Sequence, residues 1–262
     1  MSSAQSTKIM GILNVTPDSF SDGGRFNSVD AALKQAHIMA EDGCDIFDVG
    51  GESTRPGHEP VSSQEEMDRV LPVIEALAAG FAIPISIDTT KSDVAAEAIK
   101  AGATIINDIW GLQGDPKMAS IAAKTGVQVV AMHNRDSKDE TLDILADFDR
   151  FFSRTFEIAD EAGLPRDKLV VDPGIGFGKT LNQNLRAIAH LDHMAKFGCP
   201  ILLGLSRKSF LGFVTGAEVD NRLTGTIVAD LIGVQKGADI IRVHDVKPHR
   251  EMLTLMAALE SA

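Results

Sequence analysis

The chain is poor in cysteine and in positive charge, and it has no long hydrophobic run. Its two cysteines, Cys44 and Cys199, lie far apart and form no CxxC motif, so we expect reduced residues in the core. No stretch approaches the ~20 apolar residues of a membrane helix, so we expect no membrane partner. The net charge of −12 argues against nucleic-acid binding. The first residues, MSSAQSTKI, contain no apolar signal segment, so a cytoplasmic location is expected.

Short apolar runs recur along the whole sequence. They are continuous rather than alternating in polarity, as expected for strands that are buried on both faces. The runs cover residues 9–15, 45–51, 84–89, 104–110, 127–133, 168–174, 200–206 and 239–245. Segments with helical spacing separate them, and the expected helix ends are marked by Gly43, Gly102, Gly126 and Gly163.

This alternation predicts an α/β fold built from eight strand–helix units. A parallel (β/α)8 TIM barrel needs about 250 residues, which is close to the length of this chain. An open doubly wound sheet is the alternative, but eight regular units favour closure. We predict a single domain over residues 1–262, with residues 1–8 as a short N-terminal tail.

Polar side chains recur where the predicted strands end. In a TIM barrel these ends share one face, and that face carries the active site. The residues at or near strand ends are Asn14, Asp88, Asn107, Met132, Asp172, Ser206, Arg242 and His244. The segment TPDSFSDGG after Asn14 is a long first loop, and loops of that length are usually functional or mobile.

Asp88, Asn107 and Asp172 form an acceptor-rich set. Each alone could be explained by helix capping or by a glycine-rich turn. Buried carboxylates and amides are costly without partners, and a planar ligand rich in N–H donors would satisfy all three. The segment DPGIGFGKT (172–180) is not a phosphate loop, because Pro173 stands where that motif requires glycine.

A second group consists of cations, namely Arg55, Arg207, Lys208, Arg242 and His244. In so acidic a chain this grouping suggests phosphate, because arginine makes bidentate contacts to phosphate and lysine offers a point charge. The alternative is salt bridging to Asp245 or Asp172. We expect His249 at the surface, and the role of His133 is ambiguous.

With these residues assembled, the chain resembles the dihydropteroate synthase family over about residues 9–258. MGILNVTPDSFSDGG (10–24) and GGESTRPG (50–57) match its two signature stretches, and INDI, DPGIGFGK, SRKS and IIRVHD follow in the family's order. The resemblance implies a barrel that condenses 6-hydroxymethyl-7,8-dihydropterin diphosphate with p-aminobenzoate. The products would be 7,8-dihydropteroate and pyrophosphate, in folate biosynthesis. It further implies Mg²⁺, a homodimer and inhibition by sulfonamides.

The resemblance also assigns roles by position. The pterin site would comprise Asp88, Asn107, Ile109, Met132, Asp172, Lys208 and Arg242. The diphosphate would be held by Ser53, Arg55, Arg242 and His244, with Asn14 acting through Mg²⁺. The p-aminobenzoate site would comprise Phe20, Thr54, Pro56, Phe177 and Ser209. The catalytic residues would be Asp22, Arg55 and Lys208.

The chemistry of the residues agrees with this reaction. An arylamine is unprotonated at neutral pH, which fits the lack of a nucleophile–base dyad, and we expect an SN1-like departure of diphosphate. The loop NRDSKDE after His133 differs from the Gly- and Pro-containing loop that is usual in the family. The alternatives are a methyltetrahydrofolate:corrinoid methyltransferase domain and a non-catalytic pterin-binding paralogue.

Overall fold

The computed structural model describes residues 7–15, 25–52 and 61–262. In these ranges strands and α-helices alternate along the chain. The strands are β1 (Lys8–Asn14), β2 (Ile46–Gly50), β3 (Ile85–Asp88), β4 (Ile105–Asp108), β5 (Gln128–Met132), β6 (Leu169–Asp172), β7 (Leu202–Leu203) and β8 (Ile240–Val243). The α-helices are α1 (Arg25–Glu41), α2 (Ser63–Gly80), α3 (Ser92–Ala101), α4 (Met118–Thr125), α5 (Ile144–Ala162), α6 (Leu181–Ala189), α7 (Ser209–Thr215), α8 (Leu223–Gln235) and α9 (Val246–Glu260). Short 3-10 helices cover Arg166–Lys168, Leu191–Phe197 and Val219–Asn221.

The eight strands form a barrel. Their order is β6-β5-β4-β3-β2-β1-β8-β7, and every pairing is parallel. The two ends of this sheet meet through a parallel bridge between Val171 and Ile201, where the Val171 N–H donates to the Pro200 carbonyl at 2.9 Å. The prediction of closure is therefore confirmed, and the open-sheet alternative is wrong.

The first strand begins slightly earlier than its apolar run. Lys8 already pairs with Ile240 of β8, and the Thr7 hydroxyl donates to the Ala238 carbonyl at 3.2 Å. No α-helix in the described part of the chain is long and apolar enough to cross a membrane.

Glycines end several helices as predicted. Gly102, Gly126 and Gly163 are the C-caps of α3, α4 and α5, with φ values of 123°, 71° and 74°. A side chain at these positive φ values would be strained, whereas glycine adopts them freely. Gly43, with φ of 90°, lies just beyond α1.

Side chains separate into an inner and an outer core because successive strand residues face opposite sides. The inner core is a small cluster inside the barrel, formed by Met10, Ile46, Ile105, Val130, Val170, Leu202 and Ile240. The larger outer cluster packs the strands against the surrounding helices and includes Phe47, Val49 and Leu77. Cys44 and Cys199 are free and buried in it, which confirms the prediction for both cysteines.

Candidate active site

On the inner face of the barrel, the side chains change from apolar to mostly polar toward the carboxyl ends of the strands. Two residues beyond the inner apolar cluster, on the same face, lie Asp48, Asn107, Met132, Asp172 and Arg242. The alternation of strand side chains therefore places these groups together at the carboxyl ends of the strands. The sequence prediction for Asn107, Met132, Asp172 and Arg242 is confirmed in this respect.

Arg242 links two carboxylates across the barrel. Its Nε donates to Asp48 Oδ2 at 2.6 Å, and its Nη2 donates to Asp88 Oδ2 at 2.7 Å. Burial alone would lower the pKa of Arg242, but Asp48 and Asp88 raise it above its usual value. The guanidinium is therefore a fixed cation that retains further N–H groups for a ligand.

Asp88 belongs to this polar layer and does not cap a helix. The N-cap position of α3 is Lys91, whereas one oxygen of Asp88 binds Arg242 and the other, Oδ1, is buried without a partner. Burial raises the pKa of Asp88 to about 7, with Asp48 adding to the rise and Arg242 opposing it. An N–H donor from a ligand would stabilise this carboxylate.

Asp48 is a functional candidate that the sequence prediction missed. It is fully buried, and the Asn107 amide nitrogen lies 3.2 Å from its Oδ2 and 3.5 Å from its Oδ1. The run of residues 45–51 predicts only an apolar strand. A carboxylate inside a strand that is buried on both faces was the available signal, because an unpaired charge there would be very costly.

Asp172 ends β6 and is bonded to its own loop. The backbone N–H of Gly174 donates to Asp172 Oδ1 at 2.7 Å, and burial raises the pKa of Asp172 while Lys208 opposes the rise. A Cβ atom on Gly204 would lie 3.8 Å from Asp172 Oδ2 and 3.7 Å from Arg242 Cβ. The absence of a side chain at Gly204 thus leaves space between the acidic and basic groups.

Lys208 joins the sixth and seventh strand ends. Its Nζ donates to the Ile175 carbonyl at 2.5 Å and lies 4.8 Å from the centre of the Phe177 ring. Burial lowers the pKa of Lys208 to about 8, although Asp172 favours the charged form. Ser209 follows as the exposed first residue of α7. The structure therefore places Phe177 beside Lys208, as their assigned roles require.

Lys179 is a second residue that the sequence prediction missed. It is buried, and its Nζ donates to the carbonyls of Gly174, Phe177 and His133 at 2.8, 3.0 and 3.2 Å. Burial lowers the pKa of Lys179 well below its usual value, yet three acceptors call for the three N–H donors of an ammonium group. Lys179 thus ties the loop after β6 to the end of β5. The signal was a lysine directly after the glycine-rich turn.

The cations at the seventh and eighth strand ends divide into two groups. Arg207 makes a bidentate pair with Asp245, at 3.0 and 2.5 Å, so the salt-bridge alternative is the correct one for this residue. His244 is half-buried, and its Nδ1 lies 3.0 Å from the Ser206 hydroxyl. Of this group, Arg242 and Lys208 therefore lie in the polar layer, and His244 follows directly after β8.

Two other histidines are structural. His249 was expected at the surface, but it is fully buried, with Nδ1 2.6 Å from the Asp245 carbonyl and Nε2 3.1 Å from Asp230. Its partner on α8 explains how the ring is accommodated. His133 packs against Phe148, and burial lowers its pKa to about 4, so its ring is neutral.

The unusual fifth loop packs on the sixth. The Gln183 side-chain amide donates to the carbonyls of Asp139 and Leu142 at 2.6 and 3.2 Å. The Arg135 guanidinium binds Asp147 at 2.7 Å, at the start of α5. The Asp139 carbonyl belongs to NRDSKDE and that of Leu142 follows it, so α6 binds the end of the fifth loop. A Cβ atom on Gly178 would lie 2.5 Å from Arg135 Cβ, so the fifth loop also packs directly against the loop that carries Phe177.

Two of the remaining assigned residues lie within the described ranges, and six lie outside them. Asn14 is exposed at the end of β1, Ile109 directly follows β4, and both are therefore at the barrel mouth as predicted. Six residues lie outside the described ranges: Phe20, Asp22, Ser53, Thr54, Arg55 and Pro56. Their roles stay predictions.

Comparisons with known proteins agree with this geometry. Residues 10–244 match the family model for pterin binding enzymes. The dihydropteroate synthase of Bacillus subtilis (strain 168) is 50% identical over 259 residues, which cover 99% of this chain and 90% of that protein.

Solved structures give the same result. That of the dihydropteroate synthase from Clostridium difficile, obtained in the presence of pteroic acid, has a TM-score of 0.94 and 49% identity, covering 97% of this chain and 96% of that chain. The enzyme from Xanthomonas albilineans in complex with 7,8-dihydropteroate has a TM-score of 0.90 and 40% identity, covering 98% and 94%. The chain belongs to the pterin-binding enzyme family and, within it, to the dihydropteroate synthases.

Proposed function

We propose that this protein condenses 6-hydroxymethyl-7,8-dihydropterin diphosphate with p-aminobenzoate, giving 7,8-dihydropteroate and pyrophosphate. The observation that carries the proposal is the buried layer in which Arg242 joins Asp48 and Asp88 beside Asp172 and Lys208. Solved relatives with pteroic acid and with 7,8-dihydropteroate support the same chemistry. The corrinoid methyltransferase alternative gives no use to the cations at the seventh and eighth strand ends.

Recognition of the pterin would rest on complementary hydrogen bonding. Asp88 Oδ1 has no partner, and one oxygen of Asp172 is left after Gly174 has bound the other. These acceptors fit the N–H groups along one edge of a pterin. A polar edge that is satisfied only by the correct ligand gives strong discrimination, because any other ligand leaves buried acceptors unpaired.

The reaction would proceed by an SN1-like path. Arg242, His244 and Lys208 would bind and stabilise the diphosphate as negative charge develops on it. The cation left on the pterin methylene would then be captured by the arylamine, which needs no general base. The polar acceptors around the ring would hold the pterin in place through both steps.

Mg²⁺ is the proposed cofactor. In the described part of the chain no group of three or more His, Cys, Asp or Glu residues could hold a metal ion, but the exposed Asn14 amide lies at the barrel mouth. One neutral oxygen fits Mg²⁺ in this setting, since Mg²⁺ retains waters and binds substrate phosphates. When bound, Mg²⁺ would neutralise charge on the leaving diphosphate.

A homodimer and a cytoplasmic location complete the proposal. Large apolar side chains are exposed on three neighbouring helices: Phe213 and Val214 on α7, Val228 and Ile232 on α8, and Leu255 and Leu259 on α9. Phe213 is 75% exposed and Leu259 is 70% exposed, and concentrations of apolar surface of this kind are typical of subunit contacts. The cytoplasmic location stays a prediction.

The activity is tested with purified protein, both substrates and Mg²⁺. We expect 7,8-dihydropteroate by chromatography and mass spectrometry, no product when the arylamine is omitted, and competition between a sulfonamide and p-aminobenzoate. Pterin binding without any dihydropteroate would favour the non-catalytic paralogue and contradict the proposal.

A further inference from the structure

Asp48 lies at the centre of the polar layer but is fully buried. Its carboxylate accepts a hydrogen bond from Arg242 Nε at 2.6 Å. The Asn107 side chain lies 3.2 Å from Oδ2, the oxygen that also binds Arg242, and 3.5 Å from the other oxygen. Since a carboxylate only accepts, the atom that Asn107 presents to it must be the amide nitrogen.

This contact fixes the orientation of the Asn107 amide. With its nitrogen on Asp48, its carbonyl oxygen is directed to the other side of the group, and no donor from the described residues is bound to that oxygen. Asn107 lies on the inner face near the end of β4, and Asp172 lies on the inner face at the end of β6. Among the described residues, the Asn107 oxygen thus joins Asp88 Oδ1 as an acceptor that receives no hydrogen bond.

We propose that Asp48 is a positioning residue that sets the hydrogen-bonding polarity of the pterin site. It holds Asn107 so that this residue accepts rather than donates, and it holds Arg242 so that the guanidinium reaches Asp88. The inference rests on the proposed function, since it explains how this site selects a ligand edge rich in N–H donors. Asp48 would act through Asn107 and Arg242 without contacting the ligand.

The substitution Asp48→Leu should release that polarity. Arg242 Nε and the Asn107 amide nitrogen share one acceptor, Asp48 Oδ2, and a leucine of similar size offers them none. Asn107 would then no longer be held with its oxygen toward the ligand, and Arg242 would no longer be directed at Asp88. Pterin affinity should fall about 10- to 100-fold.

A double variant separates polarity from simple loss of packing. In Asp48→Asn/Asn107→Asp the amide at 48 would still accept from Arg242 and would donate to the carboxylate at 107. The second oxygen of that carboxylate would face the ligand as an acceptor, and the net charge would be unchanged. Pterin affinity should recover to within about tenfold of the wild-type value.

Asp108→Asn is the matched control. Asp108 is equally buried and lies next to Asn107, but its oxygens accept from the backbone N–H groups of Trp110 and Leu112 at 2.9 and 2.7 Å. This variant loses a buried carboxylate of the same strand region without changing the inner face. Its pterin affinity should stay near the wild-type value even if its melting temperature falls.

The experiment is calorimetric titration of 6-hydroxymethylpterin into each folded variant, with melting temperatures recorded in parallel. Weak binding by Asp48→Leu, recovery in the double variant and near-normal binding by Asp108→Asn would support the proposal. Unchanged affinity in Asp48→Leu, a double variant no better than it, or equal loss in Asp108→Asn would overturn it. If Asp48→Leu does not fold, the double variant decides: folding with near-normal affinity supports the proposal, and any other result overturns it.

Failure of this inference can be told from failure of the proposed function. Titration needs no turnover, so a wild-type protein that binds the pterin but makes no dihydropteroate would contradict the function alone. A wild-type protein that makes dihydropteroate, with a double variant that does not recover, would contradict the role of Asp48 alone.

Discussion

At the scale of single residues, the site is a set of buried charges that are only partly compensated. Arg242 binds Asp48 and Asp88, but Asp88 Oδ1 has no partner, and burial raises the pKa of Asp88 to about 7. Because this folded-state pKa lies above the usual value, the contribution of Asp88 to stability is present at low pH and is lost as pH rises through about 7. A ligand that donates an N–H group to Asp88 would offset this cost.

Lys208 gives a pH dependence with a defined direction. Burial lowers its pKa to about 8, so its ammonium group loses its proton as pH rises through that value. We predict that kcat/KM for the pterin diphosphate falls above about pH 8, because the cation that stabilises the diphosphate is lost. Lys208→Arg should move this alkaline limb to higher pH. A profile that stays flat up to pH 10 in the wild type would contradict this role.

Asp172→Asn should weaken pterin binding, although the aspartate and asparagine side chains have almost the same shape. The Gly174 N–H requires an acceptor, so the new amide would direct its oxygen there and its NH₂ group at the ligand. A lost charged hydrogen bond and a mismatched donor together cost roughly 2–4 kcal/mol of binding free energy. Calorimetric titration checks this, and near-normal affinity would show that Asp172 serves the loop alone.

At the scale of elements, the strands and helix ends were predictable because their signals are local. Continuous apolar runs gave all eight strands, and positive φ values at Gly102, Gly126 and Gly163 follow from the need to end a helix. Asp48 and Lys179 were not predictable in this way. Asp48 binds Arg242, and Lys179 binds His133 as well as its own loop; these partners lie more than forty residues away, and apolar periodicity contains no information about such pairs.

Lys179→Met tests whether Lys179 stabilises the loop after β6. Three carbonyl oxygens would lose their shared donor, so we expect a loss of roughly 2–4 kcal/mol in the free energy of unfolding. The KM for p-aminobenzoate should rise more than the KM for the pterin diphosphate, because Phe177 would be released from Lys179.

Lys100→Met is the control, since this exposed lysine pairs with Glu97 on the same helix and with no other residue in the described ranges. Its unfolding free energy should stay within about 0.5 kcal/mol of the wild-type value. Denaturant unfolding and steady-state kinetics measure both effects. Equal behaviour of the two variants would contradict the assigned role of Lys179.

At the scale of the whole molecule, one set of residues in the barrel provides stability and another set lies at the candidate site. The apolar cluster that contains Met10 and Ile240 fills its interior, while the polar layer two residues further on forms the site at the carboxyl ends. Sequence patterns predicted this arrangement because strand order and closure follow from eight regular units. Burial of individual histidines was harder to predict, since the environment of His249 depends on Asp230 of another helix.

The exposed apolar helices predict how the molecule associates. Phe213→Glu should disrupt the proposed dimer, because a charge would replace an apolar side chain that is 75% exposed in the single subunit. Ile38→Glu on α1 is the matched control, at 45% exposure outside the three apolar helices. Sedimentation velocity should show monomers for Phe213→Glu and dimers for the control. A wild-type protein that is monomeric throughout would contradict the homodimer.

The central claim is that this one end of the barrel joins an arylamine to a pterin as diphosphate departs. The most direct measurement quantifies 7,8-dihydropteroate and pyrophosphate together in one reaction of the purified protein with both substrates and Mg²⁺. The account predicts equal amounts of the two products in the complete reaction and no 7,8-dihydropteroate when the arylamine is replaced by benzoate. Pyrophosphate release without dihydropteroate in the complete reaction, or no consumption of the pterin diphosphate at all, would contradict it.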